Sequence, residues 1–136
     1  MAIWQTDVID FIGINSGNEL CLTMTDHLEF LAEYDYKHLI QIQKKLNHYL
    51  AFIESGQYKD HYADNKIEKF VIEMRFLFEP SKTAQEFFEY VRRSFDSLEY
   101  QIELKVTVSD DEDRQKYDVK CSEADYDFDR YEKQDH

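Results

Sequence analysis

The chain is short of glycine, proline, cysteine and positive charge, and each shortage closes off a class of function. Only three glycines occur, Gly13, Gly17 and Gly56. Phosphate loops of the P-loop and dinucleotide types need two or three glycines at fixed close spacings, so that backbone can close on phosphate; both are excluded. The two cysteines, Cys21 and Cys121, stand a hundred positions apart. They make no disulfide framework and are expected as buried free thiols, with Cys21 in the core. No apolar run approaches the roughly 18 residues that span a bilayer. Residues 1–13 hold Asp7 and Asp10 and no Lys or Arg. A secretory signal begins basic and continues into an apolar stretch of about 7–15 residues, so the expected location is cytoplasmic. Lys and Arg total 16 against 29 Asp and Glu, a formal net charge of −13. Nucleic acids and anionic lipid surfaces bind proteins largely through neutralised phosphates, so neither is an expected partner.

What is present is core material. Hydrophobic residues make up 43 % of 136 positions, with ten Tyr and ten Phe. That suffices for one packed domain and is too little for two of ordinary size. Residues 8–14 and 19–25 read as two strands around the turn signal Asn15-Ser16-Gly17-Asn18, a β-hairpin. Residues 26–34 fit either a loop or a first helical turn. From Asp35, a helix cap by its residue type, Leu39, Ile42, Leu46, Tyr49, Leu50 and Ile53 follow helical spacing to the stop at Gly56. Lys44, Lys45 and Asn47 fall on the opposite side of that pattern. Residues 67–78 alternate as a strand, with Phe70, Ile72, Met74, Phe76 and Phe78 inward. Ser81 then caps a helix to about residue 98, with Ala84, Phe87, Phe88, Val91 and Phe95 inward. Ile102, Leu104, Val106 and Val108 alternate as a further strand. Leu46 and Phe76 are expected core residues.

Composition changes at Ser109. The last 28 residues carry 11 acidic and 5 basic side chains, a net of −6; the first 108 carry the remaining −7. Tyr117, Val119 and Cys121 alternate with polar residues, which suggests an optional last strand. The expected fold is α+β, a two-layer sandwich of order β-β-α-β-α-β(-β). Two helices cover one face of a mixed, mainly antiparallel sheet. A single domain over residues 1–122 is followed by an acidic aromatic tail over 123–136.

Several segments resemble a known family: Gln5-Thr6-Asp7-Val8-Ile9-Asp10, Leu22-Thr23-Met24-Thr25-Asp26-His27-Leu28, His38-Leu39 with Gln43-Lys44-Lys45-Leu46-Asn47, and the run from Tyr49 to Gly56. Together with Glu79-Pro80-Ser81 and Phe87-Phe88 they are similar to small bacterial proteins catalogued only as a domain of unknown function. The resemblance covers about residues 5–104 and implies a domain extent and a bacterial origin. It carries no catalytic residues.

No motif assembles a reaction, so no cofactor, no metal and no catalytic residue is expected. The five histidines include no i, i+4 pair and no His-Glu-x-x-His frame. Asp60, His61 and Asp64 share a loop without further ligand spacing. Asp125, Asp127 and Asp129 echo the start of a calcium loop, but the glycine and the closing glutamate that such a loop needs are missing. Gly-x-Ser-x-Gly is absent. The sharpest pair is Asp26-His27 at the hairpin exit. There an aspartate orients an imidazole beside a cleft, or else caps the next turn. The most unusual feature is the C-terminus, where Asp110, Asp111, Glu112 and Asp113 form one cluster and Asp125, Tyr126, Asp127, Phe128, Asp129 and Tyr131 another. Charge that steers and rings that bury suit a basic protein partner. The expected function is therefore a protein-interaction module rather than an enzyme, most concretely an immunity protein that neutralises a basic, nuclease-type toxin domain. The alternatives are a small enzyme or ligand-binding domain with a cleft near Asp26 and His27, or a structural homodimer through a sheet edge.

Overall fold

The computed structural model describes residues 8–62 and 66–109. Strands β1 (Phe11–Ile14) and β2 (Glu19–Asp26) form the hairpin; helix α1 (Asp35–Ser55) leads to β3 (Lys69–Phe76), and α2 (Lys82–Phe95) to β4 (Ile102–Val108). The order β-β-α-β-α-β is the expected one. The expected further strand near residue 117, the boundary at residue 122 and the tail lie outside the described residues.

The hairpin is organised by Asn15. Its Oδ1 accepts the backbone N–H groups of Gly17 (2.9 Å) and Glu19 (3.1 Å), and its Nδ2 donates to Glu19 Oε1 (2.7 Å). The turn needs one residue with positive φ, and Asn18 supplies it at 59°, as asparagine does more readily than most residues. Helix α1 enters through a short 3-10 turn, Ala32–Tyr34, which settles the ambiguous segment before it. It ends at Gly56 with φ 75°, whose N–H bonds the Ile53 carbonyl, the left-handed stop that favours glycine. Ser81 caps α2 by accepting the Ala84 N–H at 3.1 Å. Asp35 is not a cap: it is the first residue of α1, and its carboxylate accepts the Ser81 hydroxyl at 2.9 Å. One bond thus ties the starts of both helices together. Helix α2 stops at Phe95, three residues before its expected end.

The four strands lie in the order β1-β2-β3-β4. Only β1 and β2 run antiparallel; β2 with β3, and β3 with β4, run parallel. The sheet is mixed, but the expected antiparallel majority is wrong. A helix of 21 residues is about 30 Å long. It carries the chain back to the end of the sheet where β2 began, so the next strand repeats the direction of the last. The 14-residue α2 does the same for β4.

Both helices pack on one face. Leu20, Leu22, Met24, Phe70, Ile72, Met74, Phe76 and Leu104 from the sheet meet Ile42, Leu46, Tyr49, Ile53, Ala84, Phe88, Val91 and Phe95. Leu46 and Phe76 are core residues, as their spacing predicts. Leu39, Leu50 and Phe87 are only half-buried at the flanks. The other face of the sheet carries Lys69 between Glu103 (2.8 Å) and Glu19 (3.5 Å). Cys21 lies on this face and is half-buried, so it is not the core thiol expected.

Candidate functional site

The carboxyl ends of parallel strands are where open sheets of this kind gather function, because helix starts and strand ends meet there. Asp26 is the last residue of β2. Its Oδ1 accepts the Leu28 N–H (2.9 Å), its backbone carbonyl accepts the Leu77 N–H (2.9 Å), and its Oδ2 lies 2.5 Å from His38 Nε2. Phe30 stacks on the imidazole at 4.2 Å and 24°, and meets Phe76 edge-on at 5.6 Å. The expected partner of Asp26 was His27. The structure gives it His38 instead, from the first turns of α1, while His27 is left half-buried beside the strand end. The capping alternative for Asp26 is realised in the bond to Leu28. His38 is 0 % and Asp26 2 % exposed. An imidazole held this way has a fixed orientation, but closed off from solvent it braces the end of β2 against α1 rather than meeting a substrate.

A second buried pair lies further along the same helix. Lys45 Nζ bonds Asp10 Oδ1 at 2.7 Å, and both side chains are wholly buried. Asp10 Oδ2 accepts the Thr25 N–H (2.9 Å) and the Thr25 hydroxyl (3.2 Å). The Tyr49 hydroxyl accepts the Asp10 N–H (3.0 Å) and donates to the Thr23 carbonyl (2.9 Å). It stands in for the direct bond between chains that part just before β1. Burial, more than the nearby Asp10 charge, pushes the Tyr49 phenol well above its ordinary value, although the Asp10 N–H pulls the other way. Lys45 was expected on the polar side of α1. It lies on the inner side because His38, Ile42, Lys45 and Tyr49 share one stripe by i, i+3 and i+4 spacing.

Removing the Tyr49 hydroxyl is expected to show what this bridge contributes. Tyr49→Phe strands a buried N–H and a buried carbonyl and should cost about 1–3 kcal/mol in urea unfolding. A loss under half a kcal/mol would show that water or a relaxed strand replaces the bridge.

Two concavities among the described residues bear on the search for a site. The larger, about 520 Å³, lies between the ends of α1 and α2 and the start of β3, with Glu54, Lys59, Phe70 and Tyr100 among its walls. The smaller, about 290 Å³, lies between α2 and β4 and includes Glu79, Phe88, Arg92 and Val108. Neither includes Asp26 or His38. Cys21, on the helix-free face, has its thiol pushed up first by burial and then by the charges of Glu19 and Glu73; this is the reverse of what a thiolate nucleophile requires.

The expected partner-binding residues Asp110, Asp111, Glu112, Asp113, Asp125, Tyr126, Asp127, Phe128, Asp129 and Tyr131 lie outside the described residues. Asp60 ends a 3-10 turn with His61 next to it, and Asp64 is outside the described residues. Among the described residues no three His, Cys, Asp or Glu side chains gather as metal ligands, and no helix is long and apolar enough to cross a membrane.

Fold and site together define a small two-layer α+β sandwich braced by the buried Lys45–Asp10 ion pair and the buried contact of His38 with Asp26. The chain belongs to a family of unknown function, DUF6572, whose model matches residues 1–108. That span holds every strand and helix described above and stops where the composition changes at Ser109. No curated protein and no solved structure matches the chain.

Proposed function

We propose that the protein is an acidic, cytoplasmic protein-interaction module of bacterial origin. Most concretely, it is an immunity protein that binds a basic, nuclease-type toxin domain and covers its substrate surface. The observation that carries this reading is the charge: −13 over 136 residues, with −6 of it in the last 28 beside four aromatic rings. Carboxylates in such density suit a surface built for phosphates, and they speed encounter with a positive partner.

Co-expression tests it. A basic nuclease domain encoded beside this chain should stop growth of a host cell when expressed alone, and growth should return when this chain is present. Continued arrest in the presence of the folded chain would count against the reading.

The tail has its own expected result. Changing Asp125, Asp127 and Asp129 to Asn should slow association more than it speeds dissociation and should flatten the salt dependence, because peripheral charges act by steering. Tyr126→Ala with Phe128→Ala should instead raise the dissociation rate, because rings act by burial. Unchanged rate constants after removal of residues 123–136 would place the contact elsewhere on the molecule.

A further inference from the structure

We propose that the cavity between the C-terminal ends of α1 and α2 is a receptor for an organic cation, the guanidinium or ammonium group of a basic side chain on the protein partner. The inference rests on the reading above and narrows it to one contact. Phe70, buried at the start of β3, forms the floor. Tyr58 meets it at 5.2 Å with planes 70° apart, and Tyr100 at 5.7 Å with planes 78° apart. Two rings standing on a third around one volume offer the aromatic surroundings that attract a cation. At about 520 Å³ the space admits a long basic side chain.

The charges point the same way. Glu54 and Glu99 line the cavity against one cation, Lys59. Helix α1 ends at Ser55, and the residues just past the end of α2 also line it. Each helix end adds a partial negative charge of about half a unit. Arg92, in the last turn of α2, is taken up by Glu89 and the Leu104 carbonyl. The Tyr100 hydroxyl donates to Glu54 at 3.1 Å and holds that carboxylate against the wall. Burial first, then the bond and the charge of Glu54, push the Tyr100 phenol up to about 12. The two lining carboxylates and the two helix ends make this end of the molecule suit a cation. Lys59 lies across Gly56, its Nζ 3.8 Å from where a Cβ on that glycine would stand. It is the resident competitor for the space.

The test titrates the full chain with acetyl-arginine methylamide and follows backbone amide resonances. Saturable shifts are expected at Gly56 and Tyr100, and none with acetyl-glycine methylamide. Lys59→Ala should tighten binding, and Glu54→Gln should weaken it, each by about two- to fivefold. Glu54 is exposed, so its variant tests the site without emptying the core. The absence of saturable shifts in both the natural chain and Lys59→Ala overturns the proposal. So does equal binding by Glu54→Gln, which would mean that arginine follows the overall acidity alone. Concentration-dependent shifts of the same amides without ligand would place a basic residue of a second copy there and overturn the assignment to a partner. Cation binding with no toxin complex keeps the site and removes the immunity reading. A toxin complex without cation binding does the opposite.

Discussion

Replacing Lys45 by Met is expected to destabilise the protein by about 3–5 kcal/mol. The Asp10 carboxylate would keep its bonds to Thr25 but lose the ammonium at 2.7 Å, in a place where water does not reach either side chain. A buried charge without its counter-charge is among the most costly defects in a folded protein, more costly than the intact pair is beneficial. Changing Asp10 to Asn in the same chain removes the stranded charge. The double variant should therefore recover about 1–3 kcal/mol relative to the sum of the two single changes. Urea unfolding of the three variants measures this coupling. Strict additivity would mean that Asp10 and Lys45 do not act on one another.

The second large effect is expected at Phe76. Its ring stacks on Phe88 at 5.3 Å and meets Phe30 edge-on, so it joins the end of β3 to α2 and to the segment that covers His38. Phe76→Ala removes these contacts from a residue 1 % exposed. The lost burial and the cavity together should cost about 3–5 kcal/mol. Against a typical total stability of about 5–15 kcal/mol, that is a large share of the whole. A calorimetric midpoint left within a degree or two of the natural chain's would show that β3 and α2 are held together by other contacts.

These two residues also show how far local pattern reaches. Phe76 was legible because a strand with alternating large apolar residues has one inner face, and Phe76 lies on it. The start and stop of α1 were legible for a similar reason: an unbroken stripe runs from Asp35 and ends at a glycine that takes positive φ. Lys45 stands three after Ile42 and four before Tyr49, on the inner stripe, but its charge points to the polar side, and position outweighs charge here because Asp10 waits inside. His38 belongs to the same stripe and was open to the same inference. Their partners were not legible. Asp10 is 35 residues from Lys45, and Asp26 is 12 from His38; such pairs depend on which strand lies under which helix. Strand direction was hidden too. Alternation tells which side of a strand is inward and nothing about its neighbour, so the parallel pairs follow only from the helices between the strands. The aromatic cavity was missed because Tyr58, Phe70 and Tyr100 come from three separate segments, each with an ordinary reason to hold a ring.

The proposal that this acidic chain occupies a basic partner is open to one direct measurement. It is a titration of the activity of a basic nuclease domain, of the kind proposed as partner, with the purified full chain at low salt. Activity is expected to fall linearly to zero at one chain per nuclease and to return in part as salt screens the contact. Full nuclease activity in the presence of excess folded chain at low salt would contradict it.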